Sequence, residues 1–299
     1  MTNIQIAKRS HDASSLLDEK ADLVTTDPDD VYEVVIVRYG TRTTRRSEVF
    51  LNYHLYGEAD APIDMDYFFW VVRNAHRTFV VDTGFSQVGG SNRGRTFLVH
   101  PGTALDMLGI DRAAAKVILT HGHYDHIGNV DLFPASTIFM PESEFDFWTG
   151  PYAHKHQFHH SVEDSEIDHL RRVRDEGRLH LLTGTQTIAP GLEVIEVGGH
   201  SPGQTILVVD TVDGPVLLAS DATHYYEELE REMPFLVVAD LAAMYAGFDT
   251  MKQIAYERRA ILVPGHDPHT LDRHEPYGGA LTGIAASIGR LPTMTKETQ

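Results

Sequence analysis

Three histidines and an aspartate occupy six positions of this 299-residue chain, directly after an apolar run. The stretch reads VILTHGHYDHIGN (residues 117–129), and the four side chains are His121, His123, Asp125 and His126. Imidazole nitrogen and carboxylate oxygen are ligands for zinc and similar divalent ions. His121 and His123, two residues apart in an extended segment, can converge on one ion, and Asp125 with His126 can reach a second. The spacing therefore predicts a metal centre.

Four more apolar runs end in a histidine or an aspartate, several of them flanked by glycine or proline. Glycine permits the tight turns through which a side chain at a strand end projects into a cleft. His200 and His266 can each complete the ligands of one ion, and the two oxygens of Asp221 can bridge the pair. The four residues, with the predicted strands that they follow, are Asp82 (77–82), His200 (192–197), Asp221 (215–220) and His266 (260–263).

Further β-branched and aromatic runs predict more strands around these residues, and helical periodicity predicts helices between them. The other predicted strands are 31–39, 67–73, 116–120, 136–140 and 204–210, and the predicted helices are 103–109, 126–133, 142–148, 162–176 and 238–258. Strands both before and after the helices indicate a sheet-rich core with helices outside it. Residues 1–30 are predicted to form an N-terminal arm, weakly ordered or wrapping, and residues 31–299 a single domain.

The composition narrows the class of protein. With 25 basic and 43 acidic residues the formal net charge is −18, which argues against a nucleic-acid partner because phosphate binding needs a basic face. The chain has no apolar window long enough for a bilayer and no secretory signal pattern, so we expect a cytoplasmic protein with no membrane partner. It has no cysteine, so any metal site must use nitrogen and oxygen ligands.

The H-x-H-x-D-H run at 121–126, followed by single histidines and aspartates in the same order, resembles the metallo-β-lactamase superfamily. The resemblance extends from about residue 31 to about residue 275. It implies an α/β fold, an αββα sandwich of two mixed sheets with helices on the outer faces. It also implies two divalent metal ions, with zinc expected and manganese, iron or cobalt left open. One ion would be held by His121, His123 and His200, the second by Asp125, His126 and His266, and both by Asp221, while Asp82 would support the metal-binding loop.

Within that superfamily, the stretches GGHSPGQTILVVDT, LLASDATHYYEE and ILVPGHDP are most similar to the N-acyl homoserine lactonase group, whose members quench quorum sensing. The resemblance implies a hydrolase that opens a small cyclic ester, with a hydroxide held between the two ions attacking the carbonyl. Asp125 would accept and pass on the proton of that nucleophile. The expected partner is therefore a small-molecule ester or lactone, and a homodimer is left open.

Other reactions and roles are also open. The protein could cleave another small ester, a thioester or a cyclic amide, as a glyoxalase-II-like or amidase-like relative would. It could also be a non-catalytic metal-binding protein or a redox relative with one iron. Serine catalysis has no support, because attack by the expected metal-held hydroxide requires no serine nucleophile.

The chain departs from the lactonase group three residues after the bridging aspartate. That group has a tyrosine there, whose hydroxyl helps to polarise the substrate carbonyl, whereas this chain has His224 followed by Tyr225 and Tyr226. We therefore predict that His224 or Tyr225 donates this hydrogen bond. The next acidic pair, Glu227 and Glu228, is expected on a helix surface.

An insertion at about 141–177 is predicted to form a helical lid. Its aromatic residues are either an apolar wall over the metals or part of the core, since ligand pockets are mostly apolar. Its histidine tract, AHKHQFHH at 153–160, is interpreted as a solvated or pocket-lining loop, with a third metal site as the alternative. GGSNRG at 89–94 is interpreted as a flexible loop near the cleft. The aromatic candidates for the substrate pocket are Phe145, Trp148, Tyr152 and Phe158.

Overall fold

The computed structural model of the protein describes residues 28–291, so the predicted arm lies almost entirely outside the described residues. The described strands are β1 (Glu33–Arg45), β2 (Pro62–Arg73), β3 (Thr78–Val81), β4 (Thr96–Phe97), β5 (Lys116–Ile118), β6 (Ile138–Pro141), β7 (Leu179–Leu182), β8 (Gln186–Ala189), β9 (Leu192–Glu196), β10 (Thr205–Val209), β11 (Val216–Ser220), β12 (Ile261–Pro264), β13 (Glu275–Pro276) and β14 (Ala285–Ile288). The described α-helices are α1 (Gln87–Asn92), α2 (Pro101–Met107), α3 (Tyr124–Ile127), α4 (Glu142–Trp148), α5 (His156–His159), α6 (Asp164–Asp175), α7 (Tyr226–Arg231) and α8 (Leu241–Glu257).

The strands form two mixed sheets. The first has the order β13-β14-β1-β2-β3-β5-β6-β7, with β4 paired to the second half of β1, and the second has the order β12-β11-β10-β9-β8. The pairs from β3 through β7 in the first sheet are parallel, as is the pair β11–β12 in the second. The remaining pairs are antiparallel.

The sheets stack face to face, and the alternation of side chains along each strand shows the layers. On β1, Val34 and Ile36 belong to the core between the sheets, while Val35 and Val37 face the helices outside the first sheet. On the second sheet, α8 packs through residues such as Phe248 against the outer face. Because both faces of these strands are buried, they read as continuous apolar runs. The predicted αββα fold is confirmed.

Helix α3 is shorter than the helix predicted over 126–133. The side-chain amide of Asn129 donates to the main-chain carbonyls of Thr83, Gly84 and Phe85, at 2.8–3.1 Å. This anchor ties the chain to the turn after β3, and a short 3-10 helix follows at Val130–Leu132. A tertiary contact therefore ends the helix that periodicity alone would continue.

Residues 89–94 were predicted to form a loop, but the first part of this segment belongs to α1. Ser86 caps this helix by accepting a hydrogen bond from the Gly89 amide at 3.0 Å. The predicted lid at 141–177 is helical and contains α4, α5 and α6. Among residues 28–291, no helix has the length and apolar character needed to cross a membrane.

Candidate active site

The candidate ligands come from both sheets and meet at one end of the sandwich. Asp82 follows β3, His121 lies three residues after β5, and Asp221 and His266 follow β11 and β12. Asp82 and the last residue of β11, Ser220, have positive φ values of 61° and 45°. Left-handed backbone at residues other than glycine is uncommon and often marks a functional turn. Here it turns two carboxylates away from their strands into the centre of the molecule.

The first group of ligands consists of three histidines and an aspartate. The Nδ1 atom of His123 lies 3.0 Å from Nε2 of His121 and 2.9 Å from Nε2 of His200. Asp221 approaches this group with Oδ2, which is 3.4 Å from Nε2 of His200. All four side chains are buried, and their ligand atoms lie close enough together to hold one ion.

The second group consists of Asp125, His126 and His266, which are also buried and close enough to hold an ion. Here Asp221 contributes its other oxygen: Oδ1 lies 3.3 Å from Nε2 of His126 and 3.1 Å from Nε2 of His266. The two oxygens of one carboxylate therefore face two different sets of ligands, as a bridging residue requires.

Several of these atoms are buried without a hydrogen-bond partner, namely Nε2 of His126, Oδ1 of Asp221 and Nε2 of His224. Polar atoms buried in this way are costly unless something binds them. Burial, together with neighbouring imidazoles, lowers the pKa of His121 and His123 well below the usual value, and burial lowers the pKa of His200 to about 3. Neutral imidazoles have the free lone pair that a metal needs. The residues therefore fit a pair of divalent ions bound by nitrogen and oxygen.

A second layer of hydrogen bonds orients the ligands. Nδ1 of His126 donates to Oδ2 of Asp82 at 2.7 Å, and Nδ1 of His266 donates to the main-chain carbonyl of Asp66 at 2.7 Å. Asp82 also accepts from the amide of Thr120, next to the first ligand, at 2.8 Å. These bonds select the tautomer that leaves each Nε2 free to bind an ion. Asp82 thus lies where the sequence placed it, beside the ligands.

Glu144 on α4 is a residue of this layer that the sequence did not reveal. Its carboxylate is fully buried and accepts four hydrogen bonds, from the Gly122 and Gly203 amides, the Ser201 hydroxyl and the Trp148 indole, at 2.5–2.8 Å. A side chain at Gly122 would collide with Trp148, and one at Gly203 would collide with α4. Glu144 therefore joins the loop of the first two histidines to the loop of His200. No local pattern marks it, because its partners lie in distant parts of the sequence.

His224 lies at the edge of both ligand groups. Its Nε2 is 3.1 Å from Oδ2 of Asp221, and its ring stacks on Phe235 with 3.7 Å between centroids. Burial lowers the pKa of His224, but the carboxylates of Asp221 and Glu228 raise it more, to about 9. His224, Asp221 and His266 also form a set that could hold a metal ion.

Glu228 and Tyr225 do not lie where the sequence suggested. Glu228, expected on a helix surface, is fully buried because its carboxylate accepts from the main-chain amides of His224 and Phe235 and lies 3.2 Å from Nδ1 of His224. Tyr225 turns away from the ligands, and its hydroxyl donates to the main-chain carbonyl of Asp64 at 3.1 Å. Its neighbour Glu227 forms an ion pair with Arg46 at 2.7 Å.

A cavity of about 510 Å³ opens over the ligands. It is lined by Met65, Tyr67, Phe235, Leu236 and Val237, and by the candidate ligands His123, Asp125, His200, Asp221 and His266. Three arginines and His224 also line it. Its walls are therefore partly apolar and partly cationic.

The four aromatic residues predicted for the substrate pocket lie outside this cavity. Phe145 and Trp148 are buried in the core that α4 forms with the first sheet, although the Trp148 ring is 5.3 Å from the His123 ring. Phe158 packs on Phe147, and Tyr152 is 65% exposed. The apolar face of α4 contacts the sheet, which places the Phe145 and Trp148 rings outside the large cavity. Trp148 and Phe158 instead line a small pocket beside His123 and His200.

The histidine tract is divided between two environments. His160 lines the cavity, as one interpretation of the tract expected. His154, His159 and Asp164 instead lie together near the surface, with Nε2 of His159 3.0 Å from Asp164, and their ligand atoms are close enough to hold an ion. The geometry is thus compatible with both interpretations.

Comparison with known proteins identifies the family to which the sequence is similar. Residues 66–266 match the sequence model of the metallo-beta-lactamase superfamily. The chain is 26% identical over 161 residues to an N-acyl homoserine lactonase of Bacillus sp, a match that covers 50% of this chain and 55% of the relative. The chain thus spans about half the length of the curated relatives it matches.

Solved structures show the same fold at low identity. A quorum-quenching N-acyl homoserine lactone lactonase superposes with a TM-score of 0.68 at 20% identity, over 80% of this chain and 93% of that one. AidC, a dizinc quorum-quenching lactonase, superposes with a TM-score of 0.63 at 19% identity, over 81% of this chain and 92% of the other. Since the family model covers two thirds of the sequence, the chain belongs to the metallo-β-lactamase superfamily.

Proposed function

We propose that this protein is a metal-dependent hydrolase that opens a small cyclic ester, a lactone. The observation that carries the proposal is the position of Asp221, whose two oxygens face two separate groups of buried histidines at the base of a cavity. The similarity to N-acyl homoserine lactonases supports a lactone over other esters.

In this proposal, His121, His123 and His200 would hold one zinc ion, Asp125, His126 and His266 would hold the other, and Asp221 would contribute to both. When bound, such a pair lowers the pKa of water and polarises an ester carbonyl. The ligand set contains no thiolate, in keeping with the absence of cysteine from the chain.

The protein's own groups then orient the substrate and move protons. Asp125, on the cavity wall, accepts on a carboxylate oxygen the proton that the attacking water loses. His224 donates from Nε2 to the carbonyl oxygen as negative charge develops on it. Glu228 holds the His224 ring through Nδ1, and Phe235 supports its face.

The proposal is tested by a hydrolysis screen of purified, zinc-loaded protein against lactones, thioesters, aryl esters and cyclic amides. We expect the highest kcat/KM for a lactone. If the protein prefers a thioester or a cyclic amide, that compound replaces the lactone as the proposed substrate. The proposed hydrolase activity then still stands. One bound iron with no hydrolysis would instead favour a redox relative, and no bound metal a binding protein.

The bridging role of Asp221 has its own test. Asp221→Ala should lower metal occupancy at both sites, because each loses one oxygen ligand, whereas His266→Ala should lower occupancy at one site only. Elemental analysis of both variants measures this difference. Two full equivalents of zinc in the Asp221→Ala protein would show that the carboxylate does not bridge.

A further inference from the structure

Two of the arginines on the cavity wall have no acidic partner. The cavity is lined by Arg42, Arg93 and Arg95. Arg93 forms an ion pair with Glu163, but within residues 28–291 neither Arg42 nor Arg95 has a carboxylate within ion-pair distance. This is unexpected in a chain with a net charge of −18, in which acidic residues are plentiful.

Arg42 lacks hydrogen-bond partners more completely than Arg95 does. Its Nε atom is buried and has no hydrogen-bond partner, and none of its side-chain nitrogens makes a hydrogen bond to another described residue. Arg95 is held in place by neutral groups, since Nε donates to the Tyr124 hydroxyl at 2.9 Å and Nη1 to the Arg93 carbonyl at 2.6 Å. Its Nη2 atom makes no such bond. Both guanidinium groups therefore have N–H donors with no acceptor among the described residues.

The sheet brings these two charges together. β1 and β4 are antiparallel, with Gly40 opposite Phe97 and Thr41 opposite Thr96. Arg42 and Arg95 are the next residues along the two segments, and both line the cavity. Like charges on neighbouring segments repel each other. The pair is thus an unfavourable arrangement unless an anion binds between the guanidinium groups.

The carboxylates around the cavity do not supply that anion. Glu163 is paired with Arg93, and Glu48 accepts a hydrogen bond from Thr44 at 2.5 Å. Asp125 and Asp221 face the histidines of the two ligand groups. Each described acidic residue of the lining therefore makes its short contacts elsewhere, and Asp125 acts on Arg95 only from beyond ion-pair distance.

We propose that Arg42 and Arg95 form a subsite that binds a carboxylate group of the substrate, so that the natural substrate is an anionic lactone or ester. The proposal deepens the hydrolase function and rests on it. Guanidinium groups match the planar carboxylate and bind it through paired, charge-assisted hydrogen bonds.

The position of the subsite suits a substrate whose carboxylate lies away from the bond that is cleaved. The guanidinium of Arg95 is 5.7 Å from the centre of the Tyr67 ring, and that ring is 5.0 Å from the ring of His266, a candidate ligand. Tyr67 thus separates the cationic wall from the ligand groups. A substrate can lie across Tyr67 with its ester at the ligands and its carboxylate at the arginines.

The test compares two lactones that differ only in charge, γ-(3-carboxypropyl)-γ-butyrolactone as its carboxylate and as its neutral carboxamide, on zinc-loaded protein. We expect kcat/KM to be at least about 10-fold higher for the carboxylate, as charge-assisted hydrogen bonds would provide. Arg42→Gln and Arg95→Gln should each bring the ratio of the two kcat/KM values towards one, mainly through the KM of the carboxylate. Arg42→Lys, which keeps the charge, should retain part of the ratio.

Arg259→Gln is the matched control, because it removes one positive charge from an exposed residue and should keep the wild-type ratio. Zinc content and circular dichroism of each variant show that it is folded and loaded. Equal use of both lactones by the wild type would overturn the proposal. So would an unchanged preference in folded Arg42→Gln and Arg95→Gln.

Binding separates this proposal from the proposed function. Calorimetry with glutarate on the zinc-loaded protein should show binding that Arg42→Gln weakens at least about 10-fold. If neither lactone is cleaved but this arginine-dependent binding is present, the lactonase proposal fails and the carboxylate subsite stands. Inorganic phosphate binding more tightly than glutarate would overturn the assignment to a carboxylate.

Discussion

At the scale of single residues, Asp82 lies outside the two groups of candidate ligands and forms a hydrogen bond with one of them, His126. It accepts from His126 and from the Thr120 amide, and its own backbone has φ of 61°. Asp82→Asn should keep the fold, because asparagine tolerates this backbone conformation. It should weaken zinc binding or activity by about 10- to 100-fold, because the carboxylate no longer orients His126.

Competition with a chelator measures the zinc affinity of Asp82→Asn, and circular dichroism measures its fold. Asp249→Asn on the exposed face of α8 is the control and should bind zinc like the wild type. Complete loss of zinc with an intact spectrum would make Asp82 a direct ligand.

His224 has two possible roles at the same position, and one variant distinguishes them. If it donates to the substrate carbonyl, His224→Ala should keep two zinc ions and lower kcat by about 100-fold or more, with a smaller change in KM. If it is a ligand with Asp221 and His266, the variant should lose zinc. Elemental analysis and steady-state kinetics on the same sample distinguish the two roles. The exposed His269→Ala is the control.

At the scale of elements, helix α4 holds two ligand loops together through one carboxylate. Glu144→Gln would place an amide among four donors, so at least one donor must lose its acceptor. We expect zinc affinity at the group of His121, His123 and His200 to fall by about 10-fold or more. Titration with zinc measures it, and Glu142→Gln, exposed on the same helix, is the control. Equal affinity in the two variants would contradict the joining role.

At the scale of the whole molecule, one buried carboxyl should make folding stability depend on pH. Glu166 accepts from the Ser86 hydroxyl at 2.6 Å, and its other oxygen is buried without a partner. Burial raises the pKa of Glu166 from 4.5 to about 7. Between these values the native state binds more protons than the unfolded state, so this residue makes stability fall as pH rises. Its full cost is present above about pH 7.

Glu166→Gln removes that cost and keeps an acceptor for Ser86. Relative to the wild type, the variant should gain about 1 to 3 kcal/mol of unfolding free energy at pH 8 and little at pH 4.5. Urea unfolding of both proteins at the two pH values measures the difference. A gain that is the same at both pH values would show that folding does not shift the pKa of Glu166.

The family and the fold could be predicted from the sequence because the evidence for them is local. Metal ligands are restricted to a few residue types, and here the candidate ligands stand in short runs at strand ends, such as His121 to His126. Strands buried on both faces also leave continuous apolar runs that can be read directly. The short strands β4, β7, β8, β13 and β14 were missed because two to four residues carry too little pattern.

Tertiary structure decided which residues surround those ligands. Periodicity showed that α4 has an apolar face, but not that this face packs on the first sheet instead of covering the cavity. Glu144 and Glu228 read as ordinary helix charges, yet both are buried because distant main-chain amides donate to them. Arg42 and Arg95 stand 53 positions apart and reach the wall of one cavity through the pairing of β1 with β4. Contacts between remote segments have no local signature, so only the folded chain reveals them.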